Sequence, residues 1–406
     1  MVLLMIDTSK LPKNLPLPDE EMSAHSLQLS QFIRDVIDKS AGAIPFEQFM
    51  HLVLYSPGLG YYSAGSRKFG AEGDFVTAPE ISAIFSQCLA RNCQQVLAQL
   101  APADILEVGA GTGVMARDIL AYLESQQCLP EHYFILEVSA DLRARQRESI
   151  AVSLPHLLDR VVWLDALPQD GFRGVVVGNE VIDAMPVHLF RLEEEARVME
   201  LYVEWRDEEN GFAFCDREIV QGELFDSIVR LKENLAADTL YPGYLSEVNL
   251  QCQAWLKSIA NMISEGVLLL VDYGFPAHEY YHPDRKEGTL MCHYRHHSHD
   301  NPLLLLGLQD ITAHVDFSAL ASGGRLSGLD LKGYTSQAQF LLSSGLDNLV
   351  AQSDPNDIRR HMALVQEVKK LVMPNEMGEL FKVIAMSKNF SDELMGFAQF
   401  DLSDRL

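Results

Sequence analysis

Three glycines stand at alternate positions directly after an acidic residue, in the segment Glu107-Val-Gly-Ala-Gly-Thr-Gly113. An apolar run leads into this segment and a helical pattern begins at Val114, so the glycines are predicted to form the turn between a buried strand and a helix. Glycine allows a sharp turn and a close approach of the backbone to a ligand because it has no Cβ. The free N–H groups at the start of the helix favour an anionic group such as a carboxylate. The pattern therefore predicts a binding site for a nucleoside-type cofactor.

The spacing of the glycines separates two kinds of cofactor. A dinucleotide fingerprint, G-x-G-x-x-G, would require a glycine at position 114, which Val114 occupies. An acidic residue followed by G-x-G-x-G instead resembles motif I of the class I S-adenosylmethionine (SAM) methyltransferases. A glycine-rich turn without a ligand is the alternative, and the strand and helix on either side argue against it. An NAD-dependent oxidoreductase is disfavoured as well, because no clear base for hydride transfer is present.

A second group of polar residues, from Asn179 to His188, follows another predicted strand and includes two carboxylates, Glu180 and Asp183. Methyl transfer is an in-line displacement that requires a nucleophile with a free lone pair. Paired carboxylates can bind a guanidinium bidentately, localise electron density on the attacking nitrogen and accept the proton that is released. The alternative is that Asn179 and Asp183 cap a helix that begins near Ala184, a role that suits aspartate better than glutamate.

Carboxylates also follow two other predicted strands. Because ligands bind at the carboxyl ends of the strands in open parallel sheets, these residues are candidates for contacts with the cofactor. Glu137 is predicted to accept hydrogen bonds from both ribose hydroxyls, with a surface glutamate as the alternative. Asp165 is the candidate for the adenine amine, although it could equally cap the next turn.

The elements that must position these residues follow from alternating strand and helix patterns, which predict an α/β fold with a parallel sheet. Seven strands are predicted, at Ile105–Val108, Tyr133–Val138, Val161–Leu164, Gly174–Gly178, Val267–Val271, Leu329–Gly333 and Leu380–Met386. Helices are predicted over residues 23–39, with Ser23 as the N-cap, and over 45–54, 81–100 and 114–127. An insertion between the fourth and fifth strands, Val187–Ser258, begins as a strand ribbon and continues as helix.

The composition is that of a globular protein. The chain has 406 residues and a formal net charge of −25, which disfavours a nucleic-acid substrate and favours a basic peptide partner, although simple solubility explains the charge equally well. Its apolar runs are too short for a membrane span or a signal peptide, so a bacterial cytoplasmic location is expected. The six cysteines form no C-x-x-C pair, so neither a disulfide framework nor a thiolate zinc site is indicated.

The order and wording of six segments resemble the family of the mitochondrial complex I assembly-factor arginine methyltransferase and its bacterial homologues. These segments are Tyr55–Tyr62, Gly73–Glu80, Glu107–Gly113, Asn179–His188, Asp272–Gly274 and Asp310–Phe317. The similarity extends from about Ile44 to Lys388. The resemblance implies a SAM-dependent methyltransferase of protein arginine, with a seven-stranded Rossmann-like core, an N-terminal helical cap and an inserted lid.

The resemblance also implies roles for individual residues. The implied cofactor-binding residues are Glu107, Gly109, Gly111, Gly113, Glu137, Asp165, Asn179, Thr77 and Pro79. The loop from Gly73 to Glu80 would close over the cofactor. Glu180 and Asp183 would line the acceptor pocket, and Glu247 in the insertion is a third catalytic candidate. A charge at a helix N-terminus, after Ser246, is an equal alternative for Glu247.

Four histidines lie close together after the fifth predicted strand, which invites a metal interpretation. Their spacing is irregular and no cysteine or carboxylate supports zinc, so no metal site is predicted. A loop near the pocket, with Arg295 and His296 or His297 in polar contacts, is favoured instead. His314 and Asp316 either orient that loop or are satisfied core groups.

The predicted organisation has four parts. Residues 1–100 form a helical cap with cofactor-covering loops, 101–190 the first half of the core, 191–260 the inserted lid and 261–406 the second half of the core. The predicted partner is a protein that presents an arginine, and neither a nucleic acid nor a membrane is expected as a partner. Formation of a homodimer stays an open alternative. Two other functions also stay open: a small-molecule methyltransferase on the same fold, and an assembly or chaperone-like protein that binds SAM without turnover.

Overall fold

A computed structural model gives the structure of residues 11–63, 76–169, 171–236, 239–354 and 356–406. These residues form two compact units. The core unit consists of Val76–Ile182, Gln253–Pro276 and Val315–Leu406, and the accessory unit consists of the described part of Met1–Phe75 with Asp183–Cys252 and Ala277–His314. Each unit is therefore assembled from three separate stretches of chain. The four-part division suggested by the sequence stays a prediction.

Strands and helices alternate through much of the chain. The strands are β1 (Ala43–Pro45), β2 (Asp104–Val108), β3 (Tyr133–Leu136), β4 (Val161–Leu164), β5 (Phe172–Asn179), β6 (His188–Leu192), β7 (Val198–Arg206), β8 (Gly211–Ile219), β9 (Leu245–Val248), β10 (Ile263–Phe275), β11 (Met291–Tyr294), β12 (His297–His299), β13 (Asp310–Thr312), β14 (Val315–Asp316), β15 (Asp330–Ser336) and β16 (Phe381–Lys388). The helices are α1 (Glu20–Lys39), α2 (Phe46–Tyr55), α3 (Ala78–Ile81), α4 (Ala83–Leu100), α5 (Val114–Ser125), α6 (Ala140–Ser153), α7 (Glu223–Asn234), α8 (Leu250–Met262), α9 (Ala277–Tyr280), α10 (Phe317–Leu326), α11 (Gln337–Ser343), α12 (Leu346–Ala351), α13 (Ile358–Val372) and α14 (Met377–Leu380).

The core unit is built on one sheet with the strand order β15-β16-β10-β5-β2-β3-β4. The five strands from β10 to β4 pair in parallel, and β16 pairs antiparallel with both β10 and β15. The short strand β14 runs parallel beside the end of β10. Nearly continuous apolar runs such as those of β5 and β10 are typical of strands covered on both faces. The predicted α/β class with a parallel sheet is confirmed.

Helices cover the sheet with side chains that are fully withdrawn from water. From α5, Ile119 and Leu120 are buried completely, and they pack in one cluster with Ile105 of β2 and Val177 of β5. Burial of each such side chain contributes about 1.5–3 kcal/mol to folding. The helix predicted over 81–100 is divided, because Ser82 has an extended backbone and its hydroxyl accepts from the N–H of Ile84 as the cap of α4.

The backbones of β2, β5 and β10 pack closely near the amino-terminal ends of their paired regions. Gly174 begins the paired region of β5 opposite Asp104 of β2, with φ +143°. A Cβ on Gly174 would overlap the backbone of Asp104. Only glycine therefore lets these strands pair in this register.

The substitution Gly174→Ala is expected to lower the free energy of unfolding by about 3 kcal/mol, because it adds both backbone strain and overlap with a neighbouring strand. Urea unfolding followed by circular dichroism measures the change. Gly171→Ala is the matched control, since Gly171 also has a positive φ, +82°, but a Cβ there would meet no atom within 4 Å. An equal loss in both variants would contradict the packing argument.

The accessory unit is built on an antiparallel sheet. Its strands have the order β1-β7-β6-β9, with β8 paired to β7 along the whole length of β7, and a separate small sheet has the order β12-β11-β13. Aromatic side chains of α2 fill the core of this unit, where Phe46 and Phe49 are completely buried and pack near Phe214 and Phe212 of β8. The predicted strand ribbon at the start of the insertion is thus present as β7 and β8.

Two predictions of local structure in the accessory unit are wrong. Helix α1 begins before Ser23 and is capped by Asp19, whose Oδ1 accepts from the N–H of Met22 at 2.9 Å. The second part of the insertion is not all helix, because strand β9 lies between α7 and α8 and pairs with β6. Across the described residues, no helix combines the length and the apolar character that crossing a membrane requires.

Candidate functional site

The glycine-rich segment is the turn between β2 and α5, as its pattern predicts. Gly109, Gly111 and Gly113 have φ values of +67°, +50° and +81°, and Gly113 is the N-cap of α5. The N–H of Gly109 donates to the carbonyl of Leu136 at 3.0 Å, which ties the turn to the end of β3. A Cβ on Gly111 would meet no atom of the described residues within 4 Å, so among these residues the turn leaves free space at the start of a helix. Such a turn suits a ligand with an anionic group.

Glu107 lies inside the sheet rather than on the turn. Its Oε2 accepts from the hydroxyl of Tyr133 in β3 at 2.6 Å, and the residue is 1% exposed. Burial raises the pKa of Glu107 to about 7; the hydrogen bond from Tyr133 opposes this rise, and the nearby carboxylate of Glu137 adds to it. Glu107 therefore changes charge near neutral pH, directly beneath the glycine turn.

The raised pKa of Glu107 predicts a pH dependence of stability. A carboxyl whose folded pKa exceeds its unfolded value binds more protons in the native state, so its contribution is present near pH 4.5 and is lost as the pH rises through about 7. Between pH 5 and pH 8, wild type should therefore lose roughly 2–3 kcal/mol relative to Glu107→Gln. Urea unfolding of both proteins at the two pH values measures this difference. A difference that does not change with pH would disprove the shift.

Glu137 follows β3 and is held by two donors. Its Oε1 accepts from the N–H of Ser139 at 2.9 Å, and its Oε2 accepts from the side-chain amide of Gln146 at 3.1 Å. The same amide nitrogen of Gln146 donates to the carbonyl of Gly111 at 2.9 Å. Gln146 thus joins Glu137, the candidate for the ribose hydroxyls, to the glycine turn, and a Cβ on Gly113 would lie only 3.0 Å from its Cα. No sequence pattern had indicated a role for this glutamine.

Burial raises the pKa of Glu137, and the bonds from Ser139 and Gln146 counteract that rise. The residue is 6% exposed, so the alternative of a surface glutamate is wrong. Asp165 differs: its side chain is 93% exposed and pairs with Arg143 at 2.8 Å. Arg143 also donates to the carbonyls of Glu137 and Leu164, at 2.6 Å each, and so connects the ends of β3 and β4. The adenine role of Asp165 stays a prediction.

The described part of the loop before α4 approaches the glycine turn through Glu80. Thr77 is the N-cap of α3, and Pro79 is buried within that helix. Oε1 of Glu80 accepts from the hydroxyl of Thr112 at 3.0 Å, and Thr112 stands between two motif glycines. Positions 73–75 lie outside the described residues, so closure of the loop over the cofactor stays a prediction. Glu80 itself is a contact that the sequence did not predict.

Glu180 directly follows β5 and has a left-handed backbone, with φ +53°. This conformation costs a non-glycine residue about 1–2 kcal/mol. A bond from the N–H of Glu180 to the carbonyl of Val271, at 2.9 Å, holds the strained backbone against β10. The amide of Asn179 donates to Oε1 of Glu180 at 3.0 Å. Oδ1 of Asn179 is buried and has no hydrogen-bond partner among the described residues.

Asp272 of β10 fixes the chain just after Glu180. Its Oδ2 accepts from the N–H groups of Val181 and Ile182, at 3.2 and 2.9 Å. The side chain of Val181 also lies 3.5 Å from the position that a Cβ of Gly109 would take, so the glycine turn and the Glu180 segment are neighbours. The sequence assigned no role to Asp272, although an aspartate at the end of a buried strand is a usable signal.

The helix expected near Ala184 as an alternative is absent. Residues 182–185 form a turn, so Asn179 and Asp183 do not cap a helix. Asp183 is 6% exposed and belongs to the accessory unit, where its carbonyl accepts from the N–H of Ala313 at 3.0 Å. Tyr55 donates to the carbonyl of Ala184 at 2.9 Å.

Glu247 lies in strand β9, so the alternative of a charge at a helix N-terminus is wrong. Its Oε1 accepts from the hydroxyl of Tyr280 at 2.7 Å and from the N–H of Thr289 at 2.8 Å, and the hydroxyl of Thr289 is a third donor. Burial raises the pKa of Glu247, and the bonds from Thr289 and Tyr280 counteract this effect. The side chain is thus a buried carboxylate in a fixed orientation.

A chain of contacts joins Glu247 to Asp183 within the accessory unit. The hydroxyl oxygen of Thr289, which is bonded to Glu247, accepts from the N–H of His314 at 3.0 Å. His314 directly follows Ala313, the residue bonded to Asp183. The structure thereby brings two of the three catalytic candidates into one network.

Tyrosines and another carboxylate lie in the same part of the accessory unit. Tyr62 donates to both carboxylate oxygens of the buried Asp310, at 3.0 and 2.9 Å, and its ring is stacked on that of Tyr55. Burial first, then the charges of Asp310 and Asp183, raise the pKa of Tyr62 well above its usual value. Asp183 and Asp310 are therefore two carboxylates that act on the same tyrosine hydroxyl.

The histidine-rich segment is not a simple loop. Strands β11 and β12 form a hairpin, with Arg295 and His296 at its turn and positive φ at both residues. Oδ1 of Asp316 caps α10 by accepting from the N–H groups of Ser318 and Ala319, both at 3.0 Å. No cluster of three or more metal-binding side chains occurs in the part of the chain that the structure describes.

The core unit fits a SAM-type cofactor on three observations. The glycine turn leaves free space at a helix N-terminus, Glu137 is a fixed carboxylate beside it, and the buried Oδ1 of Asn179 lacks a protein partner among the described residues. Hydrogen-bond donors such as ribose hydroxyls satisfy oxygens of this kind.

Comparisons with known proteins agree with this geometry. A family model for S-adenosyl-L-methionine-dependent methyltransferases matches residues 88–335. A crystal structure of a Burkholderia thailandensis protein bound to S-adenosyl-homocysteine is 43% identical, with a TM-score of 0.91, and the match covers 97% of this chain and 100% of that chain.

Proteins of lower identity are similar over most of their length. The Danio rerio protein named protein arginine methyltransferase NDUFAF7, mitochondrial, is 28% identical, and the match covers 86% of this chain and 84% of that protein. Its Drosophila melanogaster homologue, with the corresponding name, is 27% identical over 92% of this chain and 88% of that protein. Together with the geometry of the glycine turn, these matches show that the chain belongs to a family of S-adenosyl-L-methionine-dependent methyltransferases.

Proposed function

We propose that this methyltransferase acts on an arginine side chain of a protein partner. The names of the relatives in zebrafish and fruit fly support this acceptor, because those proteins are called protein arginine methyltransferases and the chain matches most of their length. The formal net charge of −25 also favours a basic acceptor.

The observation that carries the proposal is the placement of Glu180. Its carboxylate stands at the carboxyl end of β5, beside the motif strand β2, and Asn179 and Val271 hold it in a strained conformation. Strained residues of this kind cluster at functional sites. A carboxylate is the group that pairs best with a guanidinium, and it can accept the proton that methylation of nitrogen releases.

The chain's residues have separable tasks in this proposal. SAM, when bound, supplies an electrophilic methyl group. Glu137 and the glycine turn hold the cofactor, and Glu180 orients the acceptor nitrogen and takes up its proton. The acceptor roles that the resemblance implies for Asp183 and Glu247 stay predictions, since both are buried carboxylates of the accessory unit.

The proposal is tested by incubating the purified protein with SAM labelled in its methyl group and with an extract of its host cell. Label in a protein band, recovered as methylarginine after acid hydrolysis, is the expected result. Label recovered only in small molecules would overturn the choice of acceptor and favour a small-molecule methyltransferase. Binding of SAM without transfer to any acceptor would favour a binding protein.

A further inference from the structure

The carboxylate of Glu80 is satisfied on one side only. Its Oε1 accepts from the hydroxyl of Thr112 at 3.0 Å, whereas its Oε2 is buried and has no hydrogen-bond partner among the described residues. A buried carboxylate oxygen without a donor is unfavourable, because it has lost its hydrogen bonds to water and no protein donor replaces them. A ligand that brings a positively charged donor to Oε2 would remove this penalty.

The electrostatics of Glu80 point in the same direction. Partial burial raises the pKa of Glu80, and the bond from Thr112 lowers it only in part. A neighbouring cation would favour the charged form of this carboxylate and complete its hydrogen bonds.

The position of Glu80 indicates the kind of cation that its carboxylate would bind. Thr112 lies inside the glycine turn, and the N-terminus of α5, a helix of 12 residues, begins two residues later. The helix N-terminus favours an anion, and Glu80 beside it favours a cation. Two adjacent preferences of opposite sign match a zwitterion, namely the ammonium and carboxylate groups of an α-amino acid.

We propose that Glu80 binds the α-ammonium group at the amino-acid end of the cofactor. The side chain of Glu80 then distinguishes the intact amino acid of the cofactor from an analogue without the ammonium group. This assignment rests on the class of cofactor alone and does not depend on the acceptor, so it survives if the proposed arginine substrate is wrong.

The test compares two ligands on two proteins by isothermal titration. The ligands are S-adenosyl-homocysteine and its analogue in which hydrogen replaces the α-amino group. Wild type is expected to bind the complete ligand about 10- to 100-fold more tightly, as a charge-assisted hydrogen bond predicts. In Glu80→Gln this ratio should fall to about threefold or less, because the neutral amide provides no charge for the ammonium.

Controls separate this role from a structural one. Glu131→Gln changes an exposed glutamate of the same unit and should leave the ratio unchanged. Glu80→Asp keeps the charge and should retain part of the preference, which keeps the test valid if Glu80→Gln lowers the thermal midpoint.

Three outcomes would overturn the proposal. Equal weakening of both ligands by Glu80→Gln would assign Glu80 a structural role. A ratio that stays at the wild-type value would exclude contact with the ammonium. A loss for SAM much larger than the loss for S-adenosyl-homocysteine would assign the carboxylate to the sulfonium charge instead.

Discussion

Glu180→Gln is expected to lower the rate of methyl transfer by about 10²- to 10⁴-fold, the range for loss of a general base. The glutamine keeps the size of the side chain and can still accept from the amide of Asn179, but it can neither pair with a guanidinium nor take up a proton. Binding of SAM, measured by titration calorimetry, should stay within about twofold of wild type, because the variant changes no residue of the glycine turn.

Glu195→Gln is the matched control for this experiment. Glu195 is an exposed glutamate that also has a positive φ, +59°, so the control reproduces the backbone conformation without the position at the end of β5. It should leave the transfer rate unchanged. Wild-type turnover by Glu180→Gln would refute the assignment of Glu180 as the group that acts on the acceptor.

Gly111→Val is expected to reduce the affinity for SAM by more than about 100-fold, because the valine side chain would occupy the space in which the ligand is predicted to bind. A β-branched residue is strained at φ +50°, and its side chain would project into the opening at the start of α5. A Cβ there meets no atom within 4 Å in the part of the chain that the structure describes, so backbone strain alone should lower the free energy of unfolding, by about 1–3 kcal/mol. Calorimetric titration with SAM, together with the thermal midpoint, measures both effects.

Gly328→Val controls for strain alone. Gly328 lies in the core unit with φ +86°, and a Cβ there also meets no atom within 4 Å. It should lower stability to a similar extent and leave SAM affinity unchanged. Retention of SAM binding by Gly111→Val would show that the glycine turn is not the cofactor site.

The sequence was sufficient to predict the parts that depend on local pattern. The strand, turn and helix around Gly109–Gly113 followed from an apolar run, glycine spacing and a 3.6-residue period, and the structure has all three. The class of enzyme and its cofactor are confirmed by the family match. The strand, turn and helix were accessible because they are encoded within about 20 consecutive residues, whereas the class of enzyme followed from the order of six separate segments.

Features that depend on distant partners were not predictable. The residues next to Glu247 in the sequence were compatible with a helix N-terminus. Glu247 lies in a strand because β9 pairs with β6. The strain at Glu180 depends on Val271, about 90 residues later, and the role of Gln146 depends on Gly111. Tertiary pairing overrides local preference at such positions.

The catalytic and cofactor-binding roles of single residues stay predictions for a different reason. Burial, hydrogen bonds and backbone strain define what Glu180, Glu137 and Glu80 can do, but a role is a difference between free energies with and without a ligand. The ligand-based titrations and the rate comparison described above measure those differences directly.

The strand order has a consequence for the synthesis of the protein. The motif strand β2 pairs with β5, but the other neighbour of β5 is β10, which follows the long accessory insertion, and β10 is covered in turn by β16. A chain still emerging from the ribosome therefore carries the glycine turn on a half-sheet whose edge at β5 is open to other strands. Such edges are sites of aggregation, and pairings of high sequence separation form slowly. We expect the nascent enzyme to need shielding until residue 388 has left the ribosome, and to aggregate when a stop codon removes β16 and the residues after it.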